Sequence, residues 1–132
     1  GMLKTLLLLL TATLTAHAQD LTYAEKLGFP KGKKIIVLHV DDAGMSLEAN
    51  RGVIRALDAG LARSTSVMMP CAWVPAFMEW AKANPTADVG VHLTLTAEWR
   101  GYRWQPLAGR AAVPGLHDGQ GSFWPAVAEV VQ

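Results

Sequence analysis

The run Ile35-Ile36-Val37-Leu38-His39-Val40, followed at once by Asp41-Asp42-Ala43-Gly44, constrains this chain more than any other feature. A continuous β-branched and apolar stretch of this length is the pattern of a strand buried on both faces in a parallel sheet, so a strand is predicted over 35–40, ending at the aspartate pair. Ser46 is placed to cap a helix, and from Asn50 onward Val53, Ile54, Leu57 and Leu61 recur at helical spacing, with Gly60 able to take a left-handed C-terminal position. A second unit follows. Ser64 to Met69 reads as a strand ended by Pro70, and Val74, Phe77, Met78 and Ala81 form a helical stripe closed by Asn84-Pro85. Asp88 to Thr96 is a third predicted strand, with Val89, Val91, Leu93 and Leu95 on one face and Gly90, His92, Thr94 and Thr96 on the other. This alternation predicts an α/β fold of parallel β/α units, and three units amount to part of a barrel or a narrow sheet.

The flanks read differently. Gly1, standing before Met2, is taken as foreign to the natural protein. Lys4, the apolar run from Leu6, and Ala16-His17-Ala18 then have the form of a signal peptide, with cleavage expected before Gln19. The apolar stretch is shorter than the roughly 20 residues of a spanning helix, so export to the periplasm or exterior, without a membrane anchor, is expected. The chain is thus divided into 1–18 (extra glycine plus signal peptide), 19–34 (a lead-in segment with one helical turn) and 35–132 (the β/α domain). Residues 97–121, rich in glycine, proline and aromatics, read as a functional loop or insertion. Ser122 is expected to cap a final helix running through Trp124, Val127 and Val131, with Pro125 in its first turn.

Composition narrows the partners. A net charge of +1 with 17% charged residues provides no basic field for nucleic acid or acidic membranes, which leaves a neutral small molecule or polymer. The single cysteine, Cys71, excludes a disulfide framework and reads as a small buried filler.

Chemistry concentrates at the expected carboxyl ends of the strands, where α/β proteins place their sites. Asp41 and Asp42 put two like charges side by side, which a bound cation or strong hydrogen bonds must offset; a plain helix-starting turn is the competing reading. His92, on the small polar face of the third strand, would complete a mixed nitrogen and oxygen set for a divalent ion, whereas alone it would pass for a hydrogen-bonded core histidine.

Taken in order and spacing, His39-Val40-Asp41-Asp42-Ala43-Gly44-Met45-Ser46, Asn50-Arg51-Gly52, Ser64-Thr65-Ser66-Val67-Met68 and Gly90-Val91-His92-Leu93-Thr94-Leu95-Thr96 resemble the YdjC-like carbohydrate deacetylases, over about residues 35–97. The resemblance implies part of a (β/α) barrel-like deacetylase fold, truncated here, that removes acetyl groups from N-acetylated sugars such as chito-oligosaccharides with a divalent metal ion, zinc or magnesium. By position it implies Asp41 as the catalytic base and Asp42 and His92 as metal ligands. Ala43 departs from the aromatic residue usual after the Asp pair. The family's third metal ligand belongs to a downstream histidine motif that is not found before Gln132, so the site is expected to be incomplete within these residues.

The other candidates rank lower. His117, beside Asp118-Gly119, reads as an exposed turn residue. His39 shares a strand face with Asp41 and could support it. Trp99, Tyr102 and Trp104 could stack on sugar rings or pack the loop. A phosphorylation-dependent receiver domain is disfavoured because the third strand ends without a phospho-accepting aspartate. A truncated, non-catalytic carbohydrate-binding protein is the main alternative. Exposed sheet edges would favour a homo-oligomer.

Overall fold

The computed structural model describes residues 20–131, so the signal-peptide reading lies outside the described residues. The described residues divide into two compact units, 20–36 and 37–131. In the first, a single helical turn, α1 (Tyr23–Lys26), is closed by a reciprocal cap: Glu25 N donates to Thr22 Oγ1 and Thr22 N to Glu25 Oε2. Gly32 N donates to the other oxygen of Glu25, and these backbone donors hold the Glu25 carboxyl below its ordinary range.

The second unit contains β1 (His39–Ala43), α2 (Leu47–Asp58), β2 (Ser64–Val67), α3 (Val74–Ala83) and β3 (Asp88–Val91). The strands form a parallel sheet in the order β1-β2-β3, as the β/α alternation predicts. Two short 3₁₀ turns (Arg110–Ala112, Pro114–Leu116) and a one-turn helix α4 (Val127–Val130) follow.

The helices obey their sequence signals. Ser46 Oγ accepts from Ala49 N at the start of α2, and Gly60 takes φ +67° just beyond its end. The apolar stripes of α2 and α3 meet one face of the sheet: Val53, Val74 and the fully buried Phe77 pack with Ala43 and Val67, and Val40, Ile54, Leu57, Trp80 and Val89 close around them.

Three element predictions are corrected. The first strand lies over 39–43, not 35–40, and therefore contains both aspartates; Ile36 and Val37 are 81% and 75% exposed. The apolar run encodes burial on two faces, but among the described residues β1 has one sheet neighbour, so that burial is not realised. In the third strand the ladder stops at Val91, and only Val89 of the expected greasy face packs on the core, while Val91, Leu93 and Leu95 are exposed. Ser122 caps no helix: Phe123 forms an antiparallel bridge with His117, and α4 starts at Val127, beyond Pro125.

Glycines of opposite character test this packing. Gly44 has φ +88°, and a Cβ there would stand 2.5 Å from Val74 Cγ2, whereas Gly52, inside α2, has open space around it. Gly44→Ala should cost roughly 2–4 kcal/mol through left-handed strain and overpacking. Gly52→Ala should stabilise by about 0.5–1 kcal/mol through helix propensity alone. Urea unfolding of the two variants measures both signs.

Candidate metal centre and cleft

The site is built on an irregularity in β1. Val40 pairs with Thr65 and Ala43 with Val67, so two residues of β1, Asp41 and Asp42, stand opposite the single Ser66 of β2. This is a bulge, which re-aims side chains by breaking the two-residue alternation. Asp42 carries φ +68°, the one positive φ outside glycine among the described residues. Strict alternation would send Asp42 toward the helix-covered core with Val40. Instead its Oδ1 lies 3.1 Å from His92 Nδ1.

Asp41 is held from two sides. Ser66 Oγ donates to Asp41 Oδ1 at 2.8 Å, and His39 Nε2 lies 3.3 Å from the same oxygen. The other ring nitrogen of His39 is 2.7 Å from Ser64 Oγ. His92 is placed by its backbone, whose N–H donates to Val67 O at 3.0 Å and carries the β2–β3 pairing one residue past β3.

The contact between Asp42 and His92 is unusual. His92 Nδ1 is buried, yet it has no hydrogen bond of acceptable geometry, even with the carboxylate beside it. An unsatisfied buried polar atom costs about 1–3 kcal/mol and calls for an explanation, of which a missing ion is one. An imidazole nitrogen and a carboxylate oxygen converging without bonding each other form a donor pair suited to a divalent cation. Among the described residues no group of three or more His, Cys, Asp or Glu side chains converges in this way.

These two residues open onto a cleft of about 120 Å³, also lined by Met45, Met68, Thr94, Glu98, Trp99 and Trp104. Its far wall is the 97–123 segment, which packs as a second cluster of Met68, Cys71, Ala97, Trp104 and Phe123. Trp104 is only 4% exposed and its Nε1 donates to Thr96 O, so it supports the wall. Tyr102 OH donates to Met45 O at 2.6 Å, and burial pushes its phenol above the ordinary value. Trp99, 49% exposed, is the solvent-accessible tryptophan of the cleft lining. Cys71 is buried, which raises its thiol pKa and keeps it unreactive.

His117 is not the exposed turn residue expected. Half-buried, it bridges to Phe123, and its ring nitrogens lie 2.9 Å from Asp118 O and 3.2 Å from Arg110 O, within the loop and away from the cleft lining. Two contributors carried no assigned role in the sequence reading. Ser66 was legible as the β2 residue on the face shared by His39 and Asp41. Asn50 is buried, accepts from Gly44 N at 2.7 Å and donates to Trp73 O at 3.0 Å, tying the turn after the aspartates to α2 and α3. Its signal was a polar residue on the apolar stripe of α2, three before Val53.

Parallel β/α units with an Asp–His pair at their carboxyl ends define an α/β protein whose polar site sits where such folds place their chemistry. More particularly, the chain belongs to the YdjC-like protein family, whose sequence model matches residues 35–132. It is 34% identical to a carbohydrate deacetylase of Enterococcus faecalis over 92 residues, 69% of this chain and 34% of that protein. It is 41% identical to a carbohydrate deacetylase of Thermus thermophilus over 83 residues, 63% of this chain and 27% of the relative. A chitooligosaccharide deacetylase of Yersinia enterocolitica is 38% identical over 64 residues, 48% of this chain and 25% of that one. A solved structure from Enterococcus faecalis V583, described as a candidate cellobiose-phosphate cleavage protein, superposes with a TM-score of 0.59 at 31% identity, covering 71% of this chain and 38% of its own. The chain thus spans a quarter to a third of the length of these curated relatives.

The cleft wall depends on one acid. Asp118 pairs with Arg103 at 3.0 Å and accepts from Gln120 N and Ser122 N. Burial works to raise its carboxyl, but the backbone donors of Gln120, Ser122 and Gly121 and the Arg103 guanidinium outweigh it and hold the group below the ordinary value. A depressed folded-state value means stability that is present above about pH 4 and lost as pH falls further. Asp118→Asn should lower the melting temperature at pH 7 and flatten its decline below pH 4, as thermal melts across pH will read.

Proposed function

We propose that these residues carry part of the active site of a metal-dependent carbohydrate deacetylase that hydrolyses the acetamide of N-acetylated sugars or oligosaccharides. The observation that carries the reading is the orphaned His92 Nδ1 facing Asp42 Oδ1 at the cleft. The names of the relatives supply the substrate class.

Asp42 and His92 would hold the ion, zinc or magnesium, and when bound it supplies Lewis acidity toward the acetamide carbonyl and toward water. Asp41, adjacent in the bulge but tied to Ser66 instead, is the general base that takes a proton from the attacking water. The water oxygen ends in acetate, the amide C–N bond breaks, and the sugar nitrogen leaves as an amine carrying the transferred proton. Trp99 offers an apolar face to the sugar ring at the rim, a role that Trp104, buried behind it, does not share. Export follows as part of the same proposal, resting on Lys4, the Leu6–Leu10 run and Ala16-His17-Ala18. No helix of the described residues is long and apolar enough to cross a membrane.

The test uses the intact gene product. Asp41→Ala should abolish acetate release from N-acetylated chito-oligosaccharides while leaving divalent-ion affinity intact. Asp42→Ala and His92→Ala should each weaken that affinity by more than about tenfold in titration calorimetry, with His117→Ala unchanged. Equal losses at all three histidine and aspartate positions would reject the ligand assignment. Sugar binding by the unaltered protein without acetate release would favour a binding role over catalysis.

A further inference from the structure

We infer that Ser66 is a positioning residue for Asp41: its hydroxyl fixes the carboxylate through Oδ1 and leaves Oδ2 as the atom that accepts the proton. The inference rests on the reading of Asp41 as the base and adds to it which oxygen acts and what orients it. Ser66 is the β2 residue opposite the bulge, since its neighbours Thr65 and Val67 are already paired with Val40 and Ala43. It is 8% exposed and anchored in the middle strand, where its other register partner, Gly90, has no side chain to compete for the hydroxyl.

Asp41, by contrast, has a side chain 64% exposed, so packing alone does not select its rotamer. The 2.8 Å bond from Ser66 Oγ selects it. His39 Nε2, steadied by the contact of its other nitrogen with Ser64 Oγ, lies 3.3 Å from the same oxygen, so both neighbours address Oδ1. Among the described residues Oδ2 has no hydrogen-bond partner. A carboxylate held by one oxygen offers the lone pairs of the other in a fixed direction, which is the orientation a general base needs. Among the described residues the Ser66 hydroxyl bonds to Asp41 and not to Asp42 or His92, so its effect is separable from ion binding.

The experiment is a cycle in the intact protein, with acetate release as readout. Loss of a hydrogen bond to a charged group corresponds to roughly a ten- to hundredfold effect. Ser66→Ala should lower kcat by that factor with KM and divalent-ion affinity unchanged. Ser66→Thr, which keeps the hydroxyl and has the empty Gly90 position beside it, should retain most of the rate. If the alanine variant does not fold, Ser66→Cys, close in size but a weak donor, should show the same decline. Added to Asp41→Asn, Ser66→Ala should cost nothing more, because Ser66 acts through Asp41. An undiminished kcat in Ser66→Ala, or an equal loss in the Asp41→Asn background, overturns the positioning role while leaving the base assignment standing. Full activity of Asp41→Asn by itself removes the base assignment and the inference with it.

Discussion

Everything at the polar end of this sheet depends on the two-for-one step in β1. Without it, alternation would direct the Asp42 carboxylate toward Val53, Val67 and Phe77, where an unpaired charge is prohibitive. With it, Val40 and Ala43 both serve the core and both carboxylates reach the other face. The left-handed backbone at Asp42 costs on the order of 1–2 kcal/mol. Bonds that close around the turn offset it: Met45 N to Asp42 O, Met68 N to Ala43 O and Gly44 N to Asn50 Oδ1.

The same turn joins the two apolar clusters of the second unit. Ala43 belongs to the core under the helices, and Met45, two residues on, packs against the cluster formed by the 97–123 segment. Gly44 is the hinge of this arrangement because Val74 leaves no room for a side chain. Tyr102 then reaches back to the Met45 carbonyl, so the cleft wall is fastened to the residue that follows the aspartates. A long segment with little regular structure thereby gains a defined position, through aromatic packing and the Arg103–Asp118 pair in place of a ladder.

What was legible in the residues follows from which interactions are local. Ser46, Gly60 and the stripes of α2 and α3 are set by neighbours within a turn or two, and the β/α order follows from them. The extent of the strands was misread at both edges of the sheet, because β-branched runs such as Ile35–Leu38 report a burial that depends on neighbours the pattern cannot name. The bulge was invisible for a related reason: Asp-Asp before Ala-Gly reads equally as a turn, and only the register against β2 shows two residues facing one. The helix expected from Ser122 fails because Trp124, read with Val127 and Val131 as a helical stripe, and its neighbour Phe123 belong to the loop. Phe123 instead packs with Trp104, and Trp124 Nε1 donates to Gly115 O, both in the loop.

Two adjacent aspartates would be electrostatically costly if they shared one environment, and the bulge gives them different ones. Asp41 receives a hydroxyl hydrogen bond and a neighbouring imidazole, so its charge is compensated by the protein itself. Asp42 lies 3.1 Å from His92 Nδ1 without a hydrogen bond between them, and it accepts no hydroxyl bond of the kind Asp41 takes from Ser66. This asymmetry is what separates the proposed roles: the self-satisfied carboxylate can wait for a proton, and the unsatisfied one is suited to a cation. Residue type could not make that distinction, since both are aspartate, and neither could sequence spacing. It arises from the one backbone irregularity that sends neighbouring side chains to different partners.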